Sequence, residues 1–160
     1  MPKIKLQTII NSSLEICFDL SRSIDLHKIS TYRTKEEAID GKISGLISLG
    51  EFVTWRATHF GISQKLTTKI TEYNRPYHFQ DSQIKGAFKY FVHDHNFHTK
   101  DSKVIMKDTF DFQSPFGVIG SLVDKFILTD YLKGFLEERN NLIKEYAETD
   151  KWMEFLKSSA

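Results

Sequence analysis

Gly86–His98, GAFKYFVHDHNFH, places Phe91, His93, His95 and Phe97 two residues apart. Side chains along a strand alternate between faces, so these four share one face of a sheet. A buried face that runs apolar, His, His, apolar is costly unless each imidazole finds partners. Partners for the two histidines are therefore the first thing to seek in the rest of the chain.

Lys100 and Asp101 form a turn candidate after this strand, and Lys103–Gln113 alternates again. Counting outward from Lys100–Asp101 pairs Phe97 with Val104, His95 with Met106, His93 with Asp108 and Phe91 with Phe110. The opposite face then pairs Asp94 with Lys107 and Asn96 with Ile105. Both faces match in character, an acid beside a histidine on one and an acid beside a base on the other. Upstream, Tyr77–Ile84 carries Phe79 and Asp81 on a common face. Whether Asp81 joins the histidines depends on the turn at Lys85–Ala87, since two-residue and bulged three-residue turns put it on different faces.

Further upstream, Glu51–Phe60 shows Val53, Trp55, Ala57 and His59 on one face, and Ile62–Tyr73 returns with Leu66, Thr68 and Ile70. A two-residue hairpin at Phe60–Gly61 sets Trp55 against Leu66 and Val53 against Thr68. Lys3–Ile10 is another alternating strand. Ser12 and Glu15 have capping-box spacing and start a short helix holding Cys17, Phe18 and Leu20. A second short helix falls within Ser21–Lys28. Thr31–Gly45 is polar and weakly patterned, a turn of helix or an exposed loop.

Downstream, Ser114, Pro115 and Gly117 end the sheet, and the period becomes helical as far as Glu148. Ile119, Leu122, Val123 and Phe126 begin an apolar stripe that Tyr131, Leu132, Phe135, Leu142, Ile143 and Tyr146 continue. Gly134 interrupts this helix at about 1 kcal/mol relative to Ala, to admit a bulky neighbour or ligand or to bend the axis. Residues 1–148 make one α+β domain, and 149–160 an amphipathic tail with Trp152, Met153, Phe155 and Leu156.

The 160 residues, 40% hydrophobic and 27% charged, suit one globular domain. A net charge of +1 gives no pull toward nucleic acid or anionic membranes. One cysteine, Cys17, excludes an intramolecular disulfide and a Cys-rich zinc site, and is most simply a small buried hydrophobe. No apolar run approaches the about 18 residues of a membrane span, and MPKIKLQTII lacks a signal-peptide core. These features predict a cytoplasmic protein without stable membrane insertion, a monomer or a homodimer. Phe, at 13 residues, is abundant enough to line an apolar cavity.

The element order and its residues resemble the START/Bet v 1-like superfamily, also called SRPBCC or polyketide cyclase/dehydrase-like. The likeness spans Lys3 to Glu148 and is carried by Gly50-x-x-Val53-x-Trp55-x-Ala57-x-His59-Phe60-Gly61 and Pro76-x-x-Phe79-x-Asp81. It continues through Gly86-x-Phe88, His93-x-His95-x-Phe97, Asp108-x-Phe110 and Ser114-Pro115-x-Gly117. This run is most similar to a bacterial subgroup of uncharacterised proteins, some labelled cell-division-inhibitor-like. The resemblance implies a helix-grip fold, a curved antiparallel sheet around a long C-terminal helix, with a cavity between them often used for lipids, sterols or polyketides. It transfers no activity, because the superfamily hosts transporters, cyclases and receptors.

Trp55, Phe79, Phe91 and Phe110 are the expected apolar wall of a site for a hydrophobic small molecule. His59, Asp81, His93, His95 and Asp108 would form its polar end. The rival is a cyclase or dehydratase with His93 and Asp108 as an acid–base pair, since a carboxylate orients an imidazole and raises its basicity. The same pair also serves as plain core structure, each residue satisfying the other. His93, His95, His59, His98 and Asp108 permit a zinc-like set, but their spacing is unspecific, and neither a metal nor a cofactor is expected. A third alternative makes the Trp152–Leu156 tail a docking element for a partner.

Overall fold

The computed structural model describes residues 2–156. Seven antiparallel strands form one curved sheet: β1 Lys3–Ile10, β2 Glu37–Gly41, β3 Phe52–His59, β4 Ile62–Asn74, β5 His78–Lys85, β6 Tyr90–Lys100 and β7 Lys103–Gln113. Their spatial order is β1-β7-β6-β5-β4-β3-β2. Helices α1, Leu14–Ser21, and α2, Ile24–Ser30, follow β1. The long C-terminal helix comprises α3, Gly117–Val123, a π-helical turn at Asp124–Leu128, and α4, Thr129–Ala147. The architecture is the expected helix grip.

Alternation of apolar residues sets the strands, and turn chemistry sets their register. At the β3–β4 hairpin Phe60 and Gly61 both have positive φ, 52° and 76°, and Trp55 stands opposite Leu66 as expected. The β6–β7 turn differs. Asp101 and Ser102, not Lys100 and Asp101, occupy the two left-handed positions, with φ 52° and 64°. Paired left-handed residues match the strand twist, and Asp tolerates that conformation better than Lys. The register therefore moves by two: His95 opposes Asp108, His93 opposes Phe110, Phe91 opposes Phe112 and Phe97 opposes Met106. On the other face Asp94 opposes Thr109 and Asn96 opposes Lys107. A shift of two keeps every side chain on its expected face.

The turn before β6 is neither form anticipated. Its loop spans residues 86–89, and the Gln83 side chain closes it by donating to Phe88 O (2.8 Å) and accepting from Phe88 N (3.2 Å). Phe79 then opposes His95, and Asp81 opposes His93. Asp81 thus lies on the histidine face.

Two helical details also differ. Ser13, not Ser12, caps α1, its Oγ accepting from Ile16 N at 3.2 Å. Within 31–45, Tyr32–Thr34 forms a 3-10 turn and Glu37–Gly41 pairs with β3 as the edge strand β2. Its polar sequence hid it, as edge strands carry little burial signal.

The larger correction concerns the long helix. Ile119, Leu122 and Phe126 face outward, with Ile119 72% and Phe126 68% exposed, while Val123 borders the cavity. The inward line is Gly120, Asp124, Leu128, Leu132, Leu136, Asn140, Ile143 and Ala147. Gly120 packs so closely on Ser114 that a Cβ there would sit 3.2 Å from Ser114 Cβ. Asp124 is buried and accepts from Ser114 N (2.9 Å) and Ser114 Oγ. That anchor, at the π-turn, fixes which side of α3 meets the sheet. Gly134 lies inside α4, and a Cβ on it would meet nothing within 4 Å, so no bulky neighbour fills the space beside it.

The tail turns back on the domain. Trp152, Phe155 and Leu156 pack against the main core, and Phe155 meets Tyr146 at 5.5 Å between ring centroids. Three of its four apolar residues are thus engaged within the chain, while Met153 is 37% exposed.

Candidate functional site

Between the concave sheet, α2 and the long helix lies a cavity of about 470 Å³. This is within the usual range for small-molecule sites. β3 contributes Val53, Trp55, Ala57 and His59; β5 and β6 contribute Phe79, Asp81, Phe91, His93 and His95. The helix side supplies Leu128, Leu132, Phe135 and Leu136. Of the nine residues expected at the site, eight border the cavity: Trp55, His59, Phe79, Asp81, Phe91, His93, His95 and Phe110. Asp108 does not. It is 1% exposed and lies behind the two histidines, so it acts on the cavity only through them.

Asp108 is the hub of a buried polar cluster. His93 Nε2 lies 2.9 Å from its Oδ1, diagonally across the strands, and Asn140 Nδ2 donates to its Oδ2 at 2.7 Å. Arg139 Nη1 is 3.7 Å from Oδ1. His95 Nδ1 is 3.1 Å from the same oxygen but off the line of a hydrogen bond, an ionic contact. His95 Nε2 meets Asp81 Oδ1 at 2.8 Å. Phe79 stacks on the His95 ring at 4.1 Å, and the two imidazoles are 3.8 Å apart.

Arg139 and Asn140 were not anticipated. Their signal was available: Asn140 occupies a position of the buried helical line, four residues after Leu136 and three before Ile143. A polar residue inside an apolar stripe needs a partner. Here Asn140 has Asp108, while Arg139 donates to Asn140 Oδ1 (2.9 Å) and Ser21 O (3.0 Å).

The charges follow from these contacts. Burial would raise the Asp108 carboxyl, but the two imidazoles hold it well below its ordinary value. Asp81 is likewise lowered against its burial, by the His95 hydrogen bond and nearby positive charge. Burial would lower both histidines. Asp108 and Asp81 outweigh it at His95, which is raised; at His93 burial and the His95 charge prevail, and it is lowered. His95 is therefore the more basic of the two imidazoles and His93 the less basic. The two carboxylates and Arg139 share this poorly solvated site, where each charge needs an opposite one beside it.

Two accessible atoms of this cluster, on residues that border the cavity, have no hydrogen-bond partner among the described residues. His93 donates from Nε2 to Asp108, which leaves a lone pair on Nδ1. That Nδ1 makes no hydrogen bond to a described residue, and its nearest charged neighbour is Asp81 Oδ1 at 3.9 Å. Asp81 Oδ2 is also without a hydrogen bond to a described residue, and the Asp81 side chain is 20% exposed.

The broader histidine set does not converge. His59 Nδ1 is engaged by Tyr131 Oη at 2.7 Å, and His98 is exposed. Asp81, His93 and His95 bring one ligand-type atom each within 4.8 Å of one another. Nε2 of each imidazole is already turned to a carboxylate. Cys17 is fully buried, and burial pushes its thiol up to about 12, which leaves it inert. Among the described residues no helix is long and apolar enough to cross a membrane.

No family profile and no curated protein sequence matches the chain. Solved structures do. A protein from Thermus thermophilus superposes with a TM-score of 0.69 at 12% identity, covering 89% of this chain and 97% of that one. The major latex-like protein 151 of Panax ginseng gives 0.68 at 17% identity, covering 92% and 98%. Ara h 8.0201 gives 0.61 at 10% identity, covering 89% and 97%. At these identities the likeness is one of fold, and the fold is that of the Bet v 1/START-like proteins.

Proposed function

We propose that the protein binds a hydrophobic or amphipathic small molecule, lipid-like or polyketide-like, between its sheet and C-terminal helix. The observation that carries this reading is an apolar chamber of about 470 Å³ with one buried polar cluster in its wall. A core built only for stability would close such a space, since each unfilled volume costs packing energy. The motif run from Gly50 to Gly117 favours the bacterial subgroup named above, and the composition favours the cytoplasm. The test is organic extraction of protein purified without lipid-stripping, followed by mass spectrometry, alongside calorimetric titration with single-chain amphiphiles. Co-purifying or titratable ligand is expected; finding neither would refute the reading.

A second reading rests on His93. Its Nε2 is held by Asp108, and its Nδ1 is unpartnered toward the cavity, the arrangement of an oriented general base. A cyclase or dehydratase would use it so. His93→Gln should then abolish turnover of a bound polyketide-like substrate while leaving binding within a few-fold.

A further inference from the structure

Resting on the binding reading, we infer that the cavity selects a ligand whose polar end is a neutral hydroxyl, an alcohol or phenol, and rejects a carboxylate. Two accessible atoms of the Asp81–His93–His95 cluster, His93 Nδ1 and Asp81 Oδ2, have no hydrogen-bond partner among the described residues, and both are acceptors. A head group placed there has to donate.

The charged groups that border the cavity support this choice. Arg139 is the one guanidinium beside the cluster; its Nη1 donates to Asn140 Oδ1 and its Nη2 to Ser21 O, and Nη1 lies 3.7 Å from Asp108 Oδ1. Arg22 is held by Asp19, Ile47 O and Ser48, and His27 by Glu36. Lys65 borders the cavity as an exposed residue. A carboxylate at the polar end would add an anion facing Asp81 with no free cation inside the cluster. An ammonium would add a positive charge beside Arg139 and the His95 imidazole, which already lie against the two carboxylates. A hydroxyl donates one hydrogen bond and adds no charge. An unmatched buried charge is the costlier error, so discrimination by charge should exceed that by shape.

The test uses chain-matched probes, dodecanol, dodecanoate and dodecylamine, titrated calorimetrically below their aggregation limits at a pH where dodecanoate is ionised. Dodecanol should bind roughly tenfold or more tightly than dodecanoate, and more tightly than dodecylamine. Asp81→Asn replaces the anion with a group that can itself donate, and the alcohol-to-carboxylate ratio should fall toward one. Equal binding of all three probes, or preference for dodecanoate or dodecylamine, overturns the inference while the binding reading stands. If none of the three binds, both fall. Should Asp81→Asn fail to fold, the three-probe comparison on the unaltered protein decides the matter alone.

Discussion

His93 Nε2 lies 2.9 Å from Asp108 Oδ1 although the two residues are not opposite one another: His93 faces Phe110 across the strands, and Asp108 faces His95. The diagonal contact lets one carboxylate serve both imidazoles, with Asn140 on its other oxygen. Removing it orphans more than one partner. A single lost acceptor would cost roughly 1–3 kcal/mol. Asp108→Ala should destabilise by about 3–5 kcal/mol, the range for breaking a buried ion pair. Urea unfolding measures this; a loss under about 1 kcal/mol would mean that water replaces the carboxylate.

Stability should pass through a maximum near the ordinary imidazole value of about 6.5. His95 is raised in the fold, so its contribution is complete below 6.5 and is lost as pH climbs through its folded value. His93 is lowered, so the folded state resists its protonation and stability falls as pH drops from 6.5 toward its folded value. Asp81 and Asp108 are lowered; their contribution is present above the ordinary carboxylate value and is lost as pH falls through their folded values. His95→Gln should flatten the alkaline limb. Thermal melts across the pH range will show whether it does.

Ala57 is 7% exposed and borders the cavity. Ala57→Phe projects a ring into unfilled space. Binding of a single-chain alcohol should weaken roughly tenfold or more, while unfolding free energy changes by less than about 1 kcal/mol. A variant that binds normally would place the ligand elsewhere.

Gly134 is exposed within α4, and nothing lies within 4 Å of a Cβ built on it. Gly134→Ala should therefore stabilise the protein by about 0.5–1 kcal/mol through helix propensity alone. Chemical denaturation is the measurement, and destabilisation would reveal a contact on that face.

Phe155 anchors the tail on Tyr146 and is half-buried. Phe155→Ala should cost about 1–2 kcal/mol, less than a fully buried phenylalanine. Sedimentation should show no change in oligomeric state, because the anchoring is intramolecular.

Much was written in the chain itself. Period-two alternation put Phe91, His93, His95 and Phe97 on one face and Asp108 with Phe110 on the facing strand. Period 3.6 made Gly117–Ala147 helical. These local periods survive any packing that buries the apolar side, so sequence alone determined the α+β class, the faces of the main strands and the helical C-terminal stretch, but neither the polar edge strand β2 nor the buried face of α3.

Tertiary structure decided what those periods leave degenerate. Sliding β7 by two residues preserves every face, so only the left-handed Asp101–Ser102 turn chose His95 rather than His93 as the partner opposite Asp108. The Gln83 clasp brought Asp81 to the histidines. On α3 the apolar stripe was a misleading guide, because the buried Asp124–Ser114 anchor and the close approach at Gly120 turned another face inward. Arg139 and Asn140 joined the cluster only because α4 lies across β6 and β7, a contact between segments over thirty residues apart. A hydrogen bond at such separation leaves no local period, and only the folded chain supplies the geometry that makes it favourable.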